Sequence, residues 1–159
     1  VHALSNGTKV GVLNISGRVF MSALDCPFRT GKEEIKKLRE STDIIIVDFH
    51  AEATSEKIAF GYFVDGKVSA VIGTHTHVQT ADEKILPNGT AYITDVGMTG
   101  PAVSGIGIEK AQIIERFLLQ MPMKFEVAKG EGILSAVVIE IDEKTGKATA
   151  IQRLQLKYP

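Results

Sequence analysis

The alternation of apolar and polar positions in the first half of the chain marks out a regular succession of elements. Lys9 to Ile15 is β-branched and alternates in polarity, which predicts a strand. Gly31 to Glu40 is charged except where Ile35 and Leu38 fall on one side, which predicts a helix, and Asp43 to Phe49 reads as a second strand. Thr54 to Phe63 follows as a helix with Ile58, Ala59 and Tyr62 on one face, and Val68 to Ile72 as a third strand. Strands alternating with helices predict a parallel core sheet. After that the rhythm changes. Lys84 to Leu86 and Ala91 to Thr94 flank Pro87-Asn88-Gly89, a hairpin whose Asn-Gly step marks the turn. A glycine-rich loop, Gly97 to Gly107, leads into an amphipathic helix over Glu109 to Gln120. Phe125 to Val127, Ile133 to Ile141 and Ala148 to Leu156, joined by polar turns such as Glu143 to Gly146, predict a closing antiparallel meander.

Composition narrows the class. The 159 residues are 44% hydrophobic with a formal charge of −1, enough for one domain with a true core, and no linker or repeat divides residues 1–159. The 18 basic and 19 acidic residues are dispersed without blocks, which argues against stable nucleic-acid binding through phosphate neutralisation. Apolar runs fall far short of the roughly 20 residues that span a bilayer, so no membrane partner is expected. Cys26 is the sole cysteine and cannot form an internal disulfide, in keeping with a reducing, cytoplasmic setting. The chain opens on Val1 and not on Met, as a processed or partial polypeptide does.

Three of the four histidines sit in two short segments, Asp48-Phe49-His50-Ala51-Glu52 and Gly73-Thr74-His75-Thr76-His77, each just after an apolar strand. Strand ends are rigid supports for side chains that must converge on a ligand. In extended backbone the two-residue spacing of His75 and His77 would put both imidazoles on one side, about 7 Å apart at Cα. The same period aligns Asp48 with His50. Neutral imidazole is the commonest protein metal ligand, and three with carboxylate or water suit zinc, iron or manganese, so His50, His75 and His77 are the candidate metal ligands. Asp48 and Asp95, each at the end of an apolar strand, are candidate carboxylates behind them, accepting the second N–H of a metal-bound imidazole. Glu52 reads as a charge at the positive end of the following helix dipole. The Gly97–Gly107 loop matches no phosphate-binding pattern. His2 and Cys26 have no supporting pattern and read as structural or surface residues.

The segments DFHAEATS (48–55), GTHTHVQTAD (73–82) and YITDVGMTGP (92–101) together closely resemble the YmdB-like family of calcineurin-like metallophosphoesterases, the likeness running from Thr8 to Leu156. The resemblance implies an α/β fold, a metallophosphoesterase-like two-sheet sandwich flanked by helices. It also implies a two-metal centre of iron or manganese, with zinc the alternative, that hydrolyses phosphodiesters such as 2′,3′-cAMP or 3′,5′-cAMP. Carried over by position, His50 and His75 resemble ligands of one ion and His77 a ligand of the other. The family's opening aspartate motif, Glu-Asn pair and Gly-Asn-His, which includes the general-acid histidine, do not occur here. On the resemblance, the chain begins where the family's second half begins, and roughly 40% of an ordinary member of such a domain lies outside it. Ala102-Val103 stands where an aromatic-acidic pair is expected after Gly-Pro.

The expectation is therefore the C-terminal part of a metallophosphoesterase domain, completed by a missing N-terminal segment or another chain, with a homo-oligomer as one arrangement. Two alternatives stand beside it: a non-catalytic metal-binding or regulatory module, and a mononuclear zinc hydrolase whose three histidines leave a fourth position for water.

Overall fold

In the computed structural model, which describes residues 1–158, the chain is mixed α/β with two sheets and three helices. The strands are β1 (His2–Ala3), β2 (Lys9–Ser16), β3 (Ile44–His50), β4 (Ala70–Thr74), β5 (Lys84–Ile85), β6 (Ala91–Ile93), β7 (Gly100–Pro101), β8 (Gly132–Ile141) and β9 (Ala148–Tyr158). The helices are α1 (Pro27–Arg39), α2 (Thr54–Val64) and α3 (Lys110–Leu119). Six strands form one sheet in the order β1-β2-β3-β4-β6-β5, and β7-β8-β9 form a second. The centre of the larger sheet, β2-β3-β4-β6, is parallel, as the strand-helix alternation predicts.

Burial on both sides explains the unbroken apolar run of β3. Its odd-numbered side chains Ile45, Val47 and Phe49 enter the main core with Ile35 of α1, Phe60 and Val64 of α2, and Tyr92 of β6. Phe49 stacks on Phe60 at 4.3 Å between centroids, and Phe28 meets the same ring edge-on at 5.6 Å. On the opposite face Ile46, Ala70 and Ala91 meet Ile139, Ile141, Ala148 and Ile151 of the second sheet. Small residues on the larger sheet let β8 and β9 come close. Because side chains alternate along a strand, Asp48 and His50 lie on the same face as Ile46, farther along towards the strand end.

Several boundaries move. Helix α1 begins at Pro27, four residues ahead of the predicted Gly31, because proline's fixed φ and missing N–H suit the first helical turn. Strand β4 runs on to Thr74, where Gly73 lets β4 and β6 approach: a Cβ there would stand 1.7 Å from the Thr94 carbonyl oxygen. The predicted hairpin forms, with Lys84 opposite Tyr92. Phe125–Val127 does not become a strand: Val127 makes one isolated bridge to Ile108 and finds no sheet edge to extend. The predicted amphipathic helix forms as α3, yet it buries no residue, and Phe117 and Leu118 are 76% and 77% exposed. No helix among the described residues is long and apolar enough to cross a membrane.

Candidate functional site

Strands β2, β3 and β4 end side by side, and their register places Asn14 opposite Asp48, Ser16 opposite His50 and His50 opposite Thr74. Four side chains from this rim form a continuous chain of contacts. Asn14 donates from Nδ2 to Asp48 Oδ2 at 2.7 Å, and the Thr74 hydroxyl donates to Asp48 Oδ1 at 2.8 Å. The Nδ1 atom of His50 lies 3.0 Å from the same hydroxyl oxygen, and its Nε2 lies 3.0 Å from Nδ1 of His75. The two rings are nearly perpendicular, with centroids 4.8 Å apart. Beyond them, His75 Nε2 is 2.8 Å from Glu52 Oε2.

Counting hydrogens along this chain fixes most of its protons. A hydroxyl has one hydrogen and a carboxylate has none, so Thr74 gives its hydrogen to Asp48 and accepts one from His50 Nδ1–H. That leaves a lone pair on His50 Nε2. At the other end Glu52 accepts only, so His75 donates from Nε2–H, and a neutral His75 then carries its lone pair on Nδ1. Two lone pairs would face each other across 3.0 Å. A second proton on either ring or a shared cation resolves the contact, and the donor set, two imidazole nitrogens with their far sides held by oxygen, is one that a transition-metal ion accepts.

His77 is placed differently. The strand ends at Thr74, and His75 and His77 take positive φ values of 120° and 65°, so the two-residue spacing no longer puts both rings on one side of extended backbone. His77 Nδ1 lies 3.3 Å from the Ile106 carbonyl oxygen, and the side chain lines a cavity of about 390 Å³ with Gln79, Met98, Pro101, Ile106 and Ser135. Among the described residues, no group of three or more His, Cys, Asp or Glu side chains is disposed to hold a metal ion. The structure thus brings two of the three candidate ligands together and sets the third beside the glycine-rich loop.

Asp95 supports the backbone of this loop. Fully buried, it accepts from the Thr76 amide at 2.9 Å and the Gly97 amide at 2.9 Å, and pairs with Lys57 Nζ at 2.9 Å. Burial pushes its carboxyl up, but the Lys57 ammonium and the two amides outweigh that and hold it below the usual carboxylate range. Glu56, one residue before Lys57 on α2 and also buried, accepts from the amides of Arg18 and Val19 at 3.2 Å and so fixes the loop after β2.

Sequence reasoning singles out neither Lys57 nor Glu56, nor Asn14 and Thr74. No periodic signal marks the first two: α2 buries Glu56, Lys57, Phe60, Gly61 and Val64, whereas the sequence pattern puts Ile58, Ala59 and Tyr62 on the inward face, and Tyr62 is 54% exposed. Glu52, expected as a helix-end charge, contacts His75 instead. A larger cavity, about 650 Å³, lies along α1 among Arg29, Lys32, Lys36 and Arg39 and contains none of these residues.

The sequence pattern of the YmdB-like protein family matches residues 1–154. A Bacillus subtilis protein named 2′,3′-cyclic-nucleotide 2′-phosphodiesterase is 53% identical over 150 residues, which are 94% of this chain and 57% of that protein. Among solved structures, a hypothetical protein from Thermus thermophilus superposes with a TM-score of 0.91 at 40% identity, covering 98% of this chain and 60% of the other. A structure described as a novel phosphatase from Mycoplasma pneumoniae gives a TM-score of 0.82 at 41% identity, covering 92% and 52%. The chain spans little more than half the length of these relatives.

Proposed function

The chain belongs to the YmdB-like protein family, and from that premise we propose that it carries the histidine side of a metal-dependent phosphodiesterase site in a two-sheet metallophosphoesterase fold. The observation that carries this reading is the pair of facing nitrogens, His50 Nε2 and His75 Nδ1, 3.0 Å apart with their far sides tied to Thr74 and Glu52. His50 and His75 would hold one ion. His77, which lines the neighbouring cavity and contacts the Ile106 carbonyl through Nδ1, would serve a second.

Iron or manganese, with zinc the alternative, would polarise the phosphoryl oxygens and lower the pKa of an attacking water. The chain's own residues do the rest. Asp48 and Thr74 orient His50, Glu52 orients His75, and Asp95 holds the turn that carries His75 and His77. The cavity beside His77 is lined by Met98, Ile106 and Pro101 with the polar Ser135 and Gln155. Such a lining suits the uncharged organic part of a small phosphodiester better than a second phosphate. The Bacillus subtilis relative is named for 2′,3′-cyclic nucleotides, and that class of substrate is the one we assign. His50 and His75 would supply two nitrogens, and the remaining ligands and the general acid would come from the segment or chain that completes the domain.

Titration of the chain with Mn(II) and turnover of bis-p-nitrophenyl phosphate and 2′,3′-cAMP test the reading. Binding is expected, weakened in both His50→Ala and His75→Ala. Turnover by the 159-residue chain is expected to be very poor, and to become robust and His75-dependent when the chain is extended at its N terminus to the relatives' length. Binding indifferent to both substitutions would overturn the metal reading. Robust His75-dependent turnover by the short chain with one ion bound would replace the shared site with the mononuclear alternative.

A further inference from the structure

The contact between His50 and His75 depends on which nitrogen of His50 carries the proton, and the residues that decide this lie on three different strands. We propose that Thr74 is a positioning residue: with Asp48 and Asn14 behind it, its hydroxyl holds His50 in the tautomer whose Nε2 lone pair faces His75.

The direction of every hydrogen bond in the relay follows from chemistry. The Asp48 carboxylate can only accept. Asn14 Nδ2 can only donate, and at 2.7 Å it occupies Oδ2. The other oxygen, Oδ1, is taken by Thr74 at 2.8 Å, so the single hydroxyl hydrogen is committed there. The hydroxyl oxygen is then an acceptor for His50 Nδ1–H at 3.0 Å. Were His50 to move its proton to Nε2, the Nδ1 lone pair would face the Thr74 oxygen lone pairs with no hydrogen between them. The hydroxyl could relieve this only by leaving Asp48, which would leave a carboxylate oxygen short of a donor. The relay therefore penalises the wrong tautomer at two points.

Backbone register makes the arrangement rigid. Asn14 and Asp48 are direct cross-strand partners on parallel β2 and β3, as are His50 and Thr74 on β3 and β4. All four residues lie within the regular strands, before the chain turns at His75. The hydroxyl thus has a role distinct from that of a direct carboxylate partner: it turns an acceptor-only group two residues away into a fixed acceptor for imidazole N–H. This rests on the metal-site reading only for its effect on ion binding; the tautomer itself is a property of the metal-free chain.

The test is the tautomer of His50, read from two-bond proton–nitrogen couplings in ¹⁵N-labelled, metal-free protein, alongside Mn(II) titration. In the parent chain His50 is expected in the Nδ1–H form. Thr74→Val keeps the branched shape that suits a strand and removes the hydroxyl. It should move His50 to a mixture or to the Nε2–H form, and weaken Mn(II) binding about 10- to 100-fold, as loss of a ligand's outer hydrogen-bond partner does. Thr74→Ser restores the hydroxyl and should restore both readouts, which separates positioning from a folding defect. Asp48→Asn, whose amide can donate to the hydroxyl, should shift the tautomer in the same direction as Thr74→Val. An unchanged Nδ1–H form in Thr74→Val would overturn the proposal. A shifted tautomer in a chain that binds no Mn(II) would uphold it while removing the metal reading.

Discussion

Lys57→Met is the sharpest single perturbation of the rim, because it changes one charge and little volume. The ammonium is 1% exposed and lies 2.9 Å from an Asp95 carboxylate that is fully buried. Methionine keeps the unbranched stem, so the packing loss is small, below about 1.5 kcal/mol for a swap of similar volume. What remains is a buried carboxylate stripped of its cation, and breaking a buried pair from one side costs about 3–5 kcal/mol. For a chain of this size each kcal/mol moves Tm by roughly 2–4 °C, so a fall of roughly 6–20 °C follows from the same relation. Asp95 still accepts from the Thr76 and Gly97 amides, so the carboxyl titrates upward without leaving its place, and the variant loses stability most at neutral pH. Urea unfolding followed by circular dichroism, run as a cycle with Asp95→Asn and the double variant, measures the coupling. The double variant should be less destabilised than the sum of the single ones by about 0.5–3 kcal/mol. A Lys57→Met chain within about 0.5 kcal/mol of the parent, the range of ordinary surface substitutions, would refute the argument that this pair is energetically linked.

Gly73→Ala should fail to fold or lose its cooperative transition, since the added Cβ would meet Thr94 backbone at 1.7 Å and separate β4 from β6; a normal melting curve would contradict the packing described. Glu56→Ala should cost about 1–3 kcal/mol by orphaning the Arg18 and Val19 amides, with hydrogen exchange accelerated selectively at those two amides. Asp82 supplies a pH test. Burial raises its carboxyl, but the hydroxyls of Thr80 and Thr94 and the Thr94 amide outweigh this and hold it below the ordinary value of 3.8. A depressed folded-state value means stability that is present above the unfolded value and is lost as pH falls through the folded one. Asp82→Asn should therefore be less stable than the parent at pH 7 and should flatten the acid side of the parent's stability curve, measured by urea midpoints between pH 2 and pH 7.

The fold is legible where one residue's neighbours in sequence decide its environment. Ile44 to Val47 could only be a strand covered on both sides, and the Asn88-Gly89 step could hardly be anything but a turn. Helix α3 shows the limit of the same reasoning. Its stripe of Ile114, Phe117 and Leu118 reads as a face to be covered, and the helix forms, but the face is open to solvent. Periodicity reports that a helix has an apolar side and is silent about what meets it. The start of α1 is displaced for a different reason: Pro27 carries the signal, and the charged stretch after Gly31 masks it.

The site divides along the same line. Asp48 and His50 follow from the two-residue period of a strand, and the structure keeps them on one face because β3 extends through His50. His75 and His77 do not, because β4 ends one residue earlier and the period ends with it. Residues in left-handed backbone without being glycine carry a cost of order 1–3 kcal/mol each, and His75 and His77 both do. Such a turn persists only where its surroundings hold it. Here the Thr76 amide, between the two histidines, is gripped by Asp95, which Lys57 neutralises from α2 and which also grips the Gly97 amide at the start of the glycine-rich loop. One buried ion pair therefore supports both the His75 turn and the backbone that leads to the cavity beside His77. No local pattern could have announced it, because Lys57 and Asp95 are 38 residues apart and meet only when α2 packs beneath β6.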